Sequence, residues 1–236
     1  MTRLLIAVVL GVTVASYAGL RHNGWVHEDA AMKIVAEGTP GFSNGWLTRN
    51  LARASVYGTS RLFGPSPQAQ HAVQLVGHLI NGLLVYALAV VIMAPALAVL
   101  TMAVFLLHPI QVETVAYVAS RPDLLMTTLL LVAVNLALRG GWWRWALAGL
   151  ACWTSLWAKQ TGIVIAPLLL LIAWRQKPEQ REAFAWAFVG MCAVFLTLVL
   201  QVPHDLAALP FTYLGLAAYH SAAFWNLVWL VIWAPI

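Results

Sequence analysis

Apolar residues run along this chain in blocks, at 4–20, 72–93, 96–107, 123–138, 145–157, 161–174, 183–202 and 219–236. These blocks predict eight helices. The first is about 17 residues long, which at ~1.5 Å per residue just spans ~30 Å of hydrocarbon. The block 96–107 is the weakest as a full span. The turns between blocks are brief: Ala94-Pro95, residues 139–144, Lys159-Gln160 and residues 175–181. Residues 21–70 break the pattern. Within them Trp46-Leu47, Leu51, Val56-Tyr57 and Leu62-Phe63 recur at roughly helical spacing, with Arg49, Arg53 and Arg61 between. That spacing predicts an amphipathic helix lying on a membrane surface. Pro109 and Pro122 bracket a second short interruption, 108–122, read as a small interfacial or re-entrant piece. The expected architecture is an all-α integral membrane protein of about eight transmembrane helices, a single membrane domain over 1–236.

Composition agrees with this pattern. Of 236 residues, 62% are hydrophobic and 9% charged, with a mean hydropathy of +0.82. A soluble domain carries about 25% charged residues, so the solvent for this chain is lipid. The net charge of +5 rests on 13 Lys plus Arg with no long basic run. In a membrane protein such charges report topology and headgroup contact, and nucleic acid is set aside as a partner. Cys152 and Cys192 lie in apolar stretches and read as small packing residues. Ala15-Ser16-Tyr17-Ala18 resembles a signal-peptidase site, but an uncleaved first helix is the preferred reading. Trp225, Trp229 and Trp233 stand four apart on one face of the last block, for packing or lipid contact.

Orientation follows from the positive-inside rule. With a cytoplasmic N-terminus, the clusters Arg139/Arg144 and Arg175/Lys177/Arg181 fall inside. Residues 21–70, 108–122, Lys159-Gln160 and 203–218 then fall outside. The outer side keeps Arg21, Lys33, Arg49, Arg53, Arg61, Arg121 and Lys159 against the rule. An anionic ligand on that face accounts for them.

Four constellations carry chemistry. In Trp25-Val26-His27-Glu28-Asp29, two adjacent carboxylates follow closely on the first helix. One of them suits a general base toward a hydroxyl, and the bland reading is a solvated loop pair. His108, Glu113, Arg121 and Asp123 crowd the boundary where one helix ends and the next begins. There Arg121 either pairs with Asp123 or grips a phosphate, the alternative being a structural salt-bridge cluster. His71, Gln74, His78 and Asn81, spaced three, four and three apart, share one helix face that reaches deep. That face lines a cavity or makes interhelical hydrogen bonds. Lys159 is a lone cation at the junction of two apolar blocks, snorkelling or contacting a phosphate. No metal site is expected, because the spacing of His27, Glu28, Asp29 and Glu113 demands none.

These residues bring a family into view. The segment HPIQVETVAYVASRPDLL resembles the His-Pro-x-x-x-Glu-x-Val…Arg-x-Asp-x-Leu signature of the bacterial relatives of the transmembrane and tetratricopeptide-repeat O-mannosyltransferases, in the C-type glycosyltransferase superfamily. FGPSPQAQHAVQLVGHLINGLLVYAL is similar to that family's second helix, WTSLWAKQTGIVIAPLLLL to its Ser/Ala-Lys-Glu helix start, and VHEDAAMKI to its first-loop acidic pair. The resemblance runs from about residue 20 to 235. It implies a bacterial inner-membrane enzyme that moves a sugar, with inversion, from a polyprenyl-phosphate donor to a hydroxyl acceptor on the outer face. It implies no cofactor beyond that lipid-linked substrate. Carried over, Asp29 becomes the base and Glu28 its partner. Arg121, Lys159 and Arg53 become donor-phosphate contacts, while His71, His78, Asn81, His108, Glu113 and Asp123 shape the pocket. The chain departs from the pattern in its Glu-Asp pair, in Gln160 where Glu is usual, and in the unclear Arg-Pro-Leu around Asn50 to Arg53. These softened motifs, and the absence of the family's further helices before Ile236, support an alternative: a non-catalytic accessory subunit of a larger membrane complex. A third reading, a small transporter working through His71 and His78, lacks the broken-helix and repeat signals of such folds.

Overall fold

The computed structural model describes residues 1–26, 29–38 and 49–176. The chain divides into two compact units, Met1–Gln176 and Lys177–Ile236, and the description below concerns the first. The expected helices at 183–202 and 219–236, Cys192, the Trp225/Trp229/Trp233 face, and His27, Glu28, Trp46 and Leu47 lie outside the described residues.

Among the described residues every regular element is helical. The order is α1 (Thr2–Ser16), α2 (Ala30–Glu37), α3 (Asn50–Phe63), α4 (Pro67–Ala89), α5 (Pro95–Leu107), α6 (Gln111–Ala116), α7 (Arg121–Leu138), α8 (Trp142–Ala158) and α9 (Ile165–Gln176). Short 3-10 turns at Ala18–His22, Val118–Ser120 and Gln160–Val164 extend α1 and lead into α7 and α9. Among the described residues three continuous stretches are long and apolar enough to cross a membrane: Thr2–His22, Pro67–Ala89 and Val118–Leu138. Pro95–Leu107 and Gln160–Arg175 are apolar but shorter. Large apolar side chains face outward along them, with Leu4 68%, Val8 53%, Leu100 58% and Val104 56% exposed. Water would penalise such surfaces; hydrocarbon does not.

Prolines and caps set the helix starts. Ser66 accepts a hydrogen bond from the Ala69 N–H at 3.2 Å and Pro67 opens α4, both favoured where the first N–H groups have no helical partner. Pro95 opens α5, and Pro122 lies in the first turn of α7. Gly140 and Gly141 adopt φ +64° and +89° between α7 and α8, a reversal that a Cβ would strain.

Lipid supplies little hydrophobic drive for helix association, so close backbone approach and buried hydrogen bonds carry more of the packing. α4 shows both. A Cβ at Gly77 would meet Leu124 Cδ2 at 2.7 Å, and one at Gly82 would meet Leu106 Cγ at 2.6 Å. Each glycine therefore lets a leucine of a neighbouring helix sit against the α4 backbone.

The amphipathic segment forms α3, whose face toward the protein carries small and polar residues. Val56 is buried, but its companions are Ala52, Thr59 and Ser60, while Leu62 and Phe63 are 78% and 68% exposed. Two hydrogen bonds hold this face against α4. Gln70 of α4 donates to the Val56 carbonyl at 3.0 Å and to Ser60 Oγ at 2.9 Å. α2 then packs over this helix, burying Met32, Val35 and Ala36 with Val56 and Val118, flanked by Trp25 and Tyr57.

Candidate functional site

The charged and polar residues concentrate where α4 and α7 begin and α2, α3 and α6 meet them. Arg121, the first residue of α7, is fully buried there. Its Nε donates to Gln74 Oε1. Nη1 donates to Ser55 Oγ at 3.1 Å, and Nη2 to the Gln70 carbonyl at 2.9 Å and Gln70 Oε1 at 3.1 Å. A buried guanidinium is costly unless its donors are met. Here neutral oxygens meet them, and no carboxylate bonds to it among the described residues.

Of the two sequence readings of Arg121, the pairing with Asp123 does not form. Residues two apart on a helix point to different sides, so Arg121 turns inward while Asp123 turns to α8. There Asp123 Oδ1 takes an ion pair from Lys159 Nζ, with side chains 39% and 22% exposed. Lys159 stands in extended backbone at φ −155° where α8 ends, which frees its side chain to reach across.

Asp29 is not the solvated loop residue of the bland reading. It is fully buried. Its Oδ1 accepts from the Ala119 N–H at 2.8 Å and its Oδ2 from the Val26 N–H at 3.2 Å. It thus fastens the first loop to the turn that precedes Arg121. Glu28, its proposed partner, lies outside the described residues.

The α4 stripe is buried along its length and bonds to backbone. Gln74 Nε2 donates to the Thr114 and Tyr117 carbonyls at 2.7 and 3.1 Å. His78 Nε2 lies 3.0 Å from the Leu106 carbonyl, and Asn81 Nδ2 donates to the Leu124 carbonyl at 3.3 Å while Thr128 donates to its Oδ1 at 2.7 Å. Leu106 and Thr114 stand in the last turns of α5 and α6, whose carbonyls have no helical N–H to accept. The stripe is a set of interhelical hydrogen bonds, the second of its two sequence readings. His71 is buried, with Nε2 3.5 Å from the Gly24 carbonyl and Nδ1 without a partner.

The other candidates sit at the surface of the same region. His108 is exposed and its Nδ1 accepts from the Ile110 N–H at 3.2 Å. Glu113 is exposed on α6, and Arg53 is half-buried on α3. Among the described residues no three His, Cys, Asp or Glu side chains gather as metal ligands.

The stretch Val118–Asp123 ties the site together: its Ala119 N–H holds Asp29, its Arg121 enters the core, and its Asp123 holds Lys159. Sequence reasoning brought out Asp29, Arg121, Asp123 and Lys159 but missed Gln70 and Ser55. Gln70 was detectable, since it precedes Gln74 by four residues on the same face. Compared with known proteins, the chain matches no protein-family model, no curated protein and no solved structure.

Proposed function

We propose that this chain is a membrane glycosyltransferase module that moves a sugar from a polyprenyl-phosphate donor to a hydroxyl acceptor at the outer membrane boundary. One observation carries the proposal: the six residues from Val118 to Asp123 bring a carboxylate, a buried guanidinium and a half-exposed Lys–Asp pair to one end of the helices. In this reading Arg121 is a fixed positive charge beneath the donor phosphate. Lys159 exchanges its Asp123 contact for that phosphate. The acceptor oxygen attacks the anomeric carbon, the bond from that carbon to the phosphate oxygen breaks, and the lipid phosphate leaves with the electron pair. The acceptor proton goes to the first-loop acidic pair. Each Asp29 oxygen already accepts one N–H and keeps a second lone pair for it. The proposal includes an N-terminus in the cytoplasm of a bacterial inner membrane and about eight spans.

A second reading is favoured by a specific observation. Asp29, Arg121, Asp123 and Lys159 are all bonded within the chain, and the first two are fully buried. That arrangement also suits a non-catalytic accessory subunit that kept the fold.

The test is sugar transfer in lipid by the purified chain, with labelled polyprenyl-phosphate sugars and a hydroxyl-bearing peptide. Wild type turns over, Asp29→Asn loses at least a hundredfold, and Lys159→Met loses donor affinity. No turnover with any donor, together with stable co-purification with a membrane complex, establishes the accessory reading instead.

A further inference from the structure

The opposite end of α7 carries a second cationic site. α7 closes at Leu138, and the reversal through Gly140 and Gly141 sends the chain back as α8. Arg139 and Arg144 flank this turn, the first guanidinium held by the ends of α7 and α4 and the second by the turn itself. Arg139 Nη1 donates to the Asn135 carbonyl and to Asn135 Oδ1, both at 2.8 Å, and its Nη2 donates to the Ala87 carbonyl at 3.2 Å. Arg144 Nη1 donates to the Arg139 and Gly140 carbonyls at 2.9 and 3.4 Å. The Arg144 guanidinium also lies 4.9 Å from the centre of the Trp143 ring.

Two consequences follow from the donor inventory. A guanidinium has five N–H donors. Arg144 spends only its Nη1 hydrogens on the turn, leaving the Nε–Nη2 edge, which is the fork that grips a phosphate through two parallel bonds. Arg139 keeps Nε and one Nη2 hydrogen. Among the described residues every hydrogen bond these two make goes to a neutral oxygen, so neither charge is compensated by a described carboxylate. The described carboxylates are Asp29 just before α2, Glu37 at its end, Glu113 on α6 and Asp123 in the first turn of α7, the last about 24 Å away along the α7 axis at ~1.5 Å per residue.

The surroundings identify the occupant. The site begins one residue past a stretch long enough to cross a membrane, so it stands at headgroup level. Trp142 is 83% and Trp143 47% exposed beside it, and tryptophan favours the same interfacial layer. A phosphate presented by a lipid meets the fork while its acyl chains lie along the exposed apolar flank of α8, where Leu147 and Leu150 are 43% and 54% exposed. We propose that the 139–144 turn is a docking site for the headgroup of an anionic phospholipid. It is independent of the site at the other end of α7 and does not rest on the transferase reading.

The experiment titrates the purified full chain, in a neutral detergent, with phosphatidylglycerol, phosphatidylcholine or inorganic phosphate, and follows the thermal midpoint. Phosphatidylglycerol raises the midpoint and phosphatidylcholine does not. Arg144→Gln gives up only bonds to turn carbonyls and a contact with the exposed Trp143 ring, so it folds, and it needs about tenfold more phosphatidylglycerol for the same shift, the loss of one bidentate phosphate contact. Arg3→Gln removes a charge elsewhere and leaves the titration unchanged. Photo-crosslinking with a diazirine-bearing phosphatidylglycerol gives a readout apart from stability, with label on α8 that falls in Arg144→Gln. Equal phosphatidylglycerol response in wild type and Arg144→Gln overturns the proposal, as does an equal loss in Arg3→Gln. A midpoint shift by inorganic phosphate alone also overturns it, marking a soluble-anion site rather than a lipid one.

Discussion

Arg121 donates through Nε to Gln74, and the amide of the same Gln74 donates to the carbonyls of Thr114 and Tyr117. One side chain of α4 thus joins the start of α7 to the end of α6, and the bond to Arg121 is buried within the junction. The positive charge at its centre stands among neutral oxygens, so it depends on each of them.

Arg121→Met is expected to destabilise the chain by about 3 kcal/mol or more, since it strands the buried oxygens of Gln70 and Gln74. Chemical unfolding in detergent measures it. A cycle with Gln74→Leu should show a coupling of about 1–3 kcal/mol, because the two residues share one network. Additive costs would mean that the two act separately.

Lys159→Met should behave differently. Its pair with Asp123 is partly exposed, and such pairs contribute about 0–1 kcal/mol. Unfolding midpoints for Lys159→Met and Asp123→Asn should stay close to wild type. A loss as large as that of Arg121→Met would show the pair to be desolvated in the membrane.

Asp29→Ala should release the first loop from the turn before α7. The variant leaves the Ala119 and Val26 N–H groups without their acceptor, at a cost of about 2 kcal/mol. Hydrogen exchange should quicken in residues 24–38 and at Ala119 while α4 and α8 keep their protection. Unchanged exchange at Ala119 would refute the latch.

Gly82→Ala should cost about 1–3 kcal/mol through overpacking against Leu106. Leu106→Ala alone leaves a cavity costing about 2–5 kcal/mol. The double variant should cost less than the two single changes together, since the new methyl enters the space vacated. Thermal unfolding of the four proteins in one detergent checks this.

The helices were legible where a block of apolar residues ended in a proline or glycine, as at Pro95 and Gly140-Gly141, whereas the start of α4 at Pro67 lies five residues before its apolar block. The stripe His71, Gln74, His78, Asn81 was legible as one face because its spacing is helical. Its partners were not, because Leu106, Thr114, Tyr117 and Leu124 take part through main-chain carbonyls that every residue possesses. The face of α3 that meets the protein was not legible for the same reason: it is bonded through the Val56 carbonyl and the Ser60 hydroxyl, while Leu62 and Phe63 face outward. Adjacency suggested that Arg121 and Asp123 belong together, whereas helical rotation parts them. The burial of Asp29 depends on a turn 90 residues further on, which no local pattern encodes.

That separation has a consequence for how the chain is made. The N–H that holds Asp29 is synthesised 90 residues after it, or about 5–18 s later at ~5–20 residues per second. Until then the first loop lacks this latch and has the packing of α2 on α3 and the contact of His71 with the Gly24 carbonyl. The loop is finished by the arrival of α7, so slowing elongation between residues 30 and 119 should lengthen its exposure to membrane proteases in proportion.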